Sequence, residues 1–169
     1  DPKVKLGQAA DLLQNQNRPG PAEGLISEAY EIYRTRNDEK GMAEASRLYG
    51  YFFNTTAVGN WSRIYLQAGF HDGSSFGDRF RSSAAYFSRA ANHFVNAGDF
   101  ASATNALRSM AWSQLRAGEK AKACDGLDQS LELYQQTVKT DPSVKLAAST
   151  GYSSYEELIQ SEKKQWSCA

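Results

Sequence analysis

Two phrases in this chain nearly repeat: Ala97-Gly98-Asp99-Phe100-Ala101-Ser102-Ala103 and Ala117-Gly118-Glu119-Lys120-Ala121-Lys122-Ala123. They lie about 20 residues apart, and self-similarity at such a period marks arrays of helical hairpins. Their flanks agree. Phe87, Ala90, Ala91 and Phe94 fall on one helical face before Gly98. Phe100, Ala103, Leu107 and Met110 do so after it, and Ala123, Leu127, Leu131 and Tyr134 after Gly118. Each glycine can take the left-handed conformation that ends a helix. Asp99 and Glu119 then put negative charge at the next N-terminus, where the helix dipole favours it. Alanines at the facing positions allow close helix approach, and the aromatics fill the gaps between them.

The string Phe87-x2-Ala90-Ala91-x2-Phe94-x3-Gly98-x-Phe100-x2-Ala103-x3-Leu107 resembles the tetratricopeptide repeat, with Ala90-Ala91 in place of Leu-Gly and no closing proline. A second register, turning at Gly118, fits almost as well, so either helix of a pair can be the first. Arg36 to Ala45 also looks like a repeat turn followed by a second helix. The resemblance implies an all-α fold of antiparallel hairpins in a right-handed array, about seven or eight helices in all. It implies a groove lined by first helices, and a protein or peptide partner, but no particular one, since such repeats serve many functions.

In chain order, a first helix over 3–15 turns Val4, Ala9, Leu12 and Leu13 inward, with Pro2 in its first turn. Asn15 to Pro21 is the clearest break, and Pro21 opens a second helix that carries Leu25, Ile26, Ala29, Tyr30, Ile32 and Tyr33. Asp38 is the N-cap expected for a third helix that runs to about Asn54. Its Leu48 to Phe53 stretch is apolar nearly all round and predicts burial on more than one side. Residues 55–60 read as a loop and Trp61 to Ala68 as a short helix. The Gly- and Ser-rich Gly69 to Asp78 cuts the hairpin rhythm, and Asp78 is placed to cap the next helix. Ser143 to Thr150 is a short helix or a loop. Ser153 and Ser154, each three residues before Glu156 or Glu157, form overlapping capping boxes for a last helix bearing Tyr155, Leu158, Ile159 and Trp166. The layout is one domain: an N-terminal helix over 1–17, a hairpin array over 21–140 and a C-terminal capping helix over 153–167.

Composition narrows the function. Nineteen basic and nineteen acidic residues cancel, without a block of like charge. That argues against nucleic acid, which needs a basic stripe, and against polybasic membrane attachment. No apolar run approaches the 18 or so residues of a bilayer span. No signal peptide is present, but Asp1 in place of Met also suits a mature or trimmed product, in which a lost secretion signal would leave no trace. Two cysteines, Cys124 and Cys168, suit one disulfide that staples the tail to the helix after Gly118. The other reading is a buried Cys124 and a free Cys168. A bridge points to the periplasm or another extracytoplasmic space, and free thiols to the cytoplasm.

Candidate sites are few. His71 and Asp72, near Ser74 and Ser75, carry the elements of a hydrolase, but sit side by side in a loop without a nucleophile elbow. His93 is an ordinary helix residue. Metal-ligand spacing and a phosphate loop are lacking, so no metal or cofactor is implied. Asn54-Thr55-Thr56 and Asn60-Trp61-Ser62 match the glycosylation sequon, which has meaning only in a eukaryotic secretory pathway. On the helix before Gly98, Ala85, Ser88, Asn92 and Val95 lie off the packing face. If that helix is the first of a pair, the family resemblance implies that Asn92 grips a peptide backbone or carboxylate, with Ser88 beside it and Arg89 one turn away; the other reading is that Ser88, Arg89 and Asn92 form an ordinary solvated helix face. Trp61, Phe70 and Phe76 around the loop form a second expected patch, or else simply cap the short helix. The expected function is a non-enzymatic interaction module: a scaffold or assembly factor, or a cognate toxin inhibitor. The competing class is a small hydrolase using His71 and Asp72.

Overall fold

A computed structural model describes residues 1–146 and 151–169. Among them are nine α-helices and no strand. They are α1 (Pro2–Gln14), α2 (Pro19–Thr35), α3 (Glu39–Asn54), α4 (Thr56–Asn60), α5 (Ser62–Ala68), α6 (Arg79–Asn96), α7 (Phe100–Arg116), α8 (Lys120–Thr140) and α9 (Tyr155–Gln165). A 3₁₀ turn at Phe76–Asp78 leads into α6. The long helices pack serially, α1 on α2, α2 on α3, α3 on α6, α6 on α7, α7 on α8, and α9 closes on α8. The short α4 and α5 are strung between α3 and α6.

One turn chemistry recurs. Asn37, Gly98, Gly118 and Ser167 all have positive φ. After α6, Asp99 N–H donates to Phe94 O at 2.8 Å and Gly98 N–H to Val95 O at 3.0 Å. The pairs Asp38–Tyr33 with Asn37–Arg34, Glu119–Gln114 with Gly118–Leu115, and Cys168–Lys163 with Ser167–Lys164 reproduce the same two bonds. These are Schellman closures, which satisfy the last carbonyls of each helix. Asp38 caps α3 through Gly41 N at 2.8 Å, and Asp99 caps α7 through Ser102 N at 3.1 Å. Turns this short make neighbouring helices antiparallel.

The core is largest where α3 is covered on several sides. Tyr49, Phe52 and Phe53 pack with Ile26 of α2, Val58 of α4, Tyr65 of α5 and Phe70 of the loop. Tyr51 alone in this stretch stays exposed. Gly50 is required by closeness: a Cβ there would lie 2.9 Å from the Phe87 ring. A second core joins Ala111, Ala123 and Leu127 to Tyr155, Leu158, Ile159 and Trp166 of α9. The Cys124–Cys168 disulfide, with Cα atoms 5.8 Å apart, ties the tail to α8 as expected.

Several expectations need correction. Helix α2 starts at Pro19 rather than Pro21. Residues 56–60 are helical, not a loop, because the Thr55 hydroxyl caps Val58 N at 3.3 Å and Ala57 and Val58 are buried. Val4 is exposed, since α1 ends the stack and buries the row Pro2, Ala9 and Leu13 instead. Phe100 is exposed at the first position of α7, beyond the reach of the α6 face. Residues 143–146 are not helical; the rest of the expected helix or loop to Thr150 lies outside the described residues.

Candidate functional site

Helices α2 and α6 flank α3, and the loop over 69–78 closes one end of the channel between them. A cavity of about 210 Å³ opens there. Its floor is Ser46 and Tyr49 of α3, its sides are Tyr30 of α2 and Tyr86 of α6, and Arg89 and His71 stand at the rim.

The loop is held in place by buried polar contacts. Glu23 of α2 is 1 % exposed. Its Oε1 accepts the Tyr49 hydroxyl at 2.7 Å and the His71 backbone N–H at 2.8 Å. Within the loop, Ser74 N–H and Oγ–H both donate to Asp72 Oδ1, at 2.9 and 2.6 Å. The Tyr86 hydroxyl donates to Asp72 Oδ2 at 3.0 Å. Gly69 turns the chain into this loop at φ +68°. Burial raises the Glu23 carboxyl above the ordinary carboxylate range, against the lowering pull of its Tyr49 and His71 bonds. Burial likewise raises the Tyr49 hydroxyl strongly, helped by the adjacent carboxylate. Burial and then Asp72 push Tyr86 up to about 12. Tyr49 and Tyr86 are therefore neutral donors at ordinary pH.

One buried group in this cavity lacks a partner, and one exposed cation is unpaired. Ser46 is 2 % exposed and its Oγ has no hydrogen-bond partner among the described residues. The Arg89 guanidinium sits 4.9 Å from the Tyr86 ring centroid and 5.9 Å from that of Tyr30, an aromatic seat for a cation. It makes no ion pair among the described residues. A buried polar group without a partner is costly, and Ser46 is such a group beside this cavity.

The structure thus unites Arg89 with His71 and Asp72, which the sequence placed in rival sites. It does not gather the rest. Asn92 is exposed on α6 beyond the cavity, and Ser88 is half-buried about 100° round the helix from Arg89. Phe70 is no surface residue. It is 5 % exposed, stacked on Tyr65 at 4.6 Å and edge-on to Phe53 at 4.8 Å. Phe76 is half-buried under the Arg79 guanidinium, 4.1 Å from its ring centroid, and does not join Trp61. Trp61 is exposed, its indole N–H donating to Asn17 O at 2.8 Å. No hydrolase relay is assembled: Ser74 donates to Asp72, and among the described residues the His71 ring has no hydrogen bond. His93 is structural, with Nδ1 2.7 Å from Glu39 Oε2 and Nε2 3.4 Å from the Tyr30 hydroxyl. Its bond holds the Glu39 carboxyl below the ordinary range. Of the two sequon asparagines, Asn54 is engaged inside, donating to Ser83 Oγ at 2.6 Å and Ser113 Oγ at 3.0 Å.

Sequence reading missed Ser46, Tyr86 and Glu23. A signal existed for the last: Glu23 sits in the apolar row with Ile26 and Tyr30, where a carboxylate is out of place.

No family model matches the chain, and neither a curated protein nor a solved structure matches it.

Proposed function

We propose that this chain is a non-enzymatic interaction module, built of tetratricopeptide-like hairpins, that receives a peptide or protein partner on the face shared by α2 and α6. The observation that carries the reading is the tyrosine-walled cavity with an unpartnered Ser46 hydroxyl at its floor and an unpaired Arg89 at its rim. A partner side chain fills the cavity and satisfies Ser46. A partner carbonyl or carboxylate meets Arg89, whose seat against Tyr86 holds it ready. Asn92, exposed on the same helix, extends the contact surface. Buried aromatics beside an arginine are the usual composition of binding hot spots. A scaffold, an assembly factor and a cognate inhibitor all use such a face. The Cys124–Cys168 bridge supports work in the periplasm or another oxidising extracytoplasmic space.

The test is a quantitative pull-down from the source organism with the native chain, Arg89→Ala and Ser46→Val. The expected result is one dominant partner whose recovery drops about tenfold or more with Arg89→Ala and falls also with Ser46→Val. A partner retained by both variants, or none recovered by the native chain, defeats the proposal.

A further inference from the structure

A second cavity, of about 430 Å³, lies on the other side of Glu23, between the first turn of α2 and the helix α5. Its walls are Pro19, Trp61, Ile64, Tyr65 and Phe70. Pockets of this size lined by apolar groups, with a few convergent polar ones, are the usual form of small-molecule sites. The convergent group here is the Glu23 carboxylate. Both of its protein donors reach Oε1, and among the described residues no donor reaches Oε2. A carboxylate oxygen thus faces a largely aromatic chamber without a partner.

What completes such a site is a hydrogen-bond donor that brings positive charge and an apolar body. An anion is repelled by Glu23. A neutral apolar molecule leaves Oε2 unpaired, which costs binding energy. Among the described residues no group of three metal-ligating side chains exists, so a lone carboxylate does not make a cation cage. We propose that this cavity binds a small organic ammonium ion: a primary amine on an aromatic or branched aliphatic body. Its N–H donates to Glu23 Oε2. Its charge lies beside the aromatic lining of Trp61 and Tyr65, which attracts cations, and its body fills the space beside Ile64. Arg18 also lines this cavity. Its charge opposes a second ammonium, so a monoamine is preferred to a polyamine. Arg89 lies outside this chamber, and His71 borders both cavities.

The full-length oxidised chain, labelled with nitrogen-15, is titrated with 2-phenylethylamine while the Trp61 indole N–H and the His71 amide are followed by NMR. The neutral analogue 2-phenylethanol is the control. Expected is a saturable shift of both signals by the amine, with the alcohol at least about tenfold weaker. Glu23→Gln erases the preference for the amine, Arg18→Gln tightens amine binding, and Arg89→Ala, which weakens partner recovery, leaves amine binding as it was. If Glu23→Gln misfolds, Ile64→Lys serves instead. Ile64 is 50 % exposed, so the change spares the core while placing a competing ammonium at the mouth, and amine binding is lost. Equal affinity for amine and alcohol, absence of a saturable shift, or full binding by Ile64→Lys overturns the proposal.

Discussion

Two carboxylates on apolar helix faces set the character of this protein at the scale of single residues. Glu23 is buried with its donors on one oxygen only, and burial raises its pKa in the folded chain. Ionising it therefore costs the folded state more than the unfolded one. Its contribution to stability is fully present below the ordinary carboxylate range and declines as pH rises from there through the raised folded value. Glu23→Gln keeps an acceptor oxygen for Tyr49 and His71 but cannot ionise. Urea denaturation midpoints measured from acid to neutral pH should fall less for Glu23→Gln than for the native chain. A variant whose midpoint tracks the native curve refutes this assignment. Glu162, also buried, is the opposite case because it is fully answered. It takes the Arg108 guanidinium through both oxygens and the Trp112 indole N–H at 2.9 Å. Glu162→Ala strands a half-buried cation, and should cost about 2–3 kcal/mol in chemical denaturation, reduced from a fully buried pair because Arg108 keeps some solvent.

At the scale of elements, the helix stops and close crossings are what make the stack. Gly98 holds φ +74° inside a two-bond closure. A Cβ there meets no neighbouring atom, so the cost of Gly98→Ala is backbone conformation alone. It should lower stability by about 1 kcal/mol. Gly50→Ala acts by a different cause. Its backbone is ordinary helix, but the Phe87 ring occupies the space. Its loss, net of the gain in helix propensity, is about 1–2 kcal/mol. Pairing it with Phe87→Leu separates the two: that second change should relieve the Gly50→Ala penalty in a double-mutant cycle and leave the Gly98→Ala penalty untouched. Asn37 plays at α2–α3 the part that Gly98 plays at α6–α7. This is why the repeat phrase is visible at two turns and disguised at the third.

At the scale of the whole molecule, α9 completes the core that α7 and α8 leave open, and the disulfide secures it. Cys124 and Cys168 are 44 residues apart. Closing a loop of that length removes unfolded-state entropy worth about 4 kcal/mol in the chain-entropy model. Reduction, or Cys124→Ala with Cys168→Ala, should lower the thermal midpoint and speed hydrogen exchange first in α9 and the end of α7, while α2, α3 and α6 keep their protection. Uniform loss of protection would instead show one cooperative unit.

The local periodicity of this chain carries only nearest-neighbour information, and that was enough for most of the fold. Residue spacing makes α4 a loop and pairs Ser153 with Glu156, whereas Ser153 bonds Glu157. The long helices, the turns at Gly98 and Gly118 and the caps at Asp38 and Ser154 could be read from it. These features arise from backbone conformation and from which side of a helix is apolar, both local properties. The candidate site was not legible in that way. Arg89 could be named as exposed, but its tyrosine seat joins residues from α2 and α6. Phe70 looked like a surface aromatic because its loop is polar, yet α3 and α5 enclose it. Ser46 and the free oxygen of Glu23 have meaning only through what fails to reach them. Whether a polar group is satisfied depends on every element packed around it, and that was decided by the tertiary structure alone.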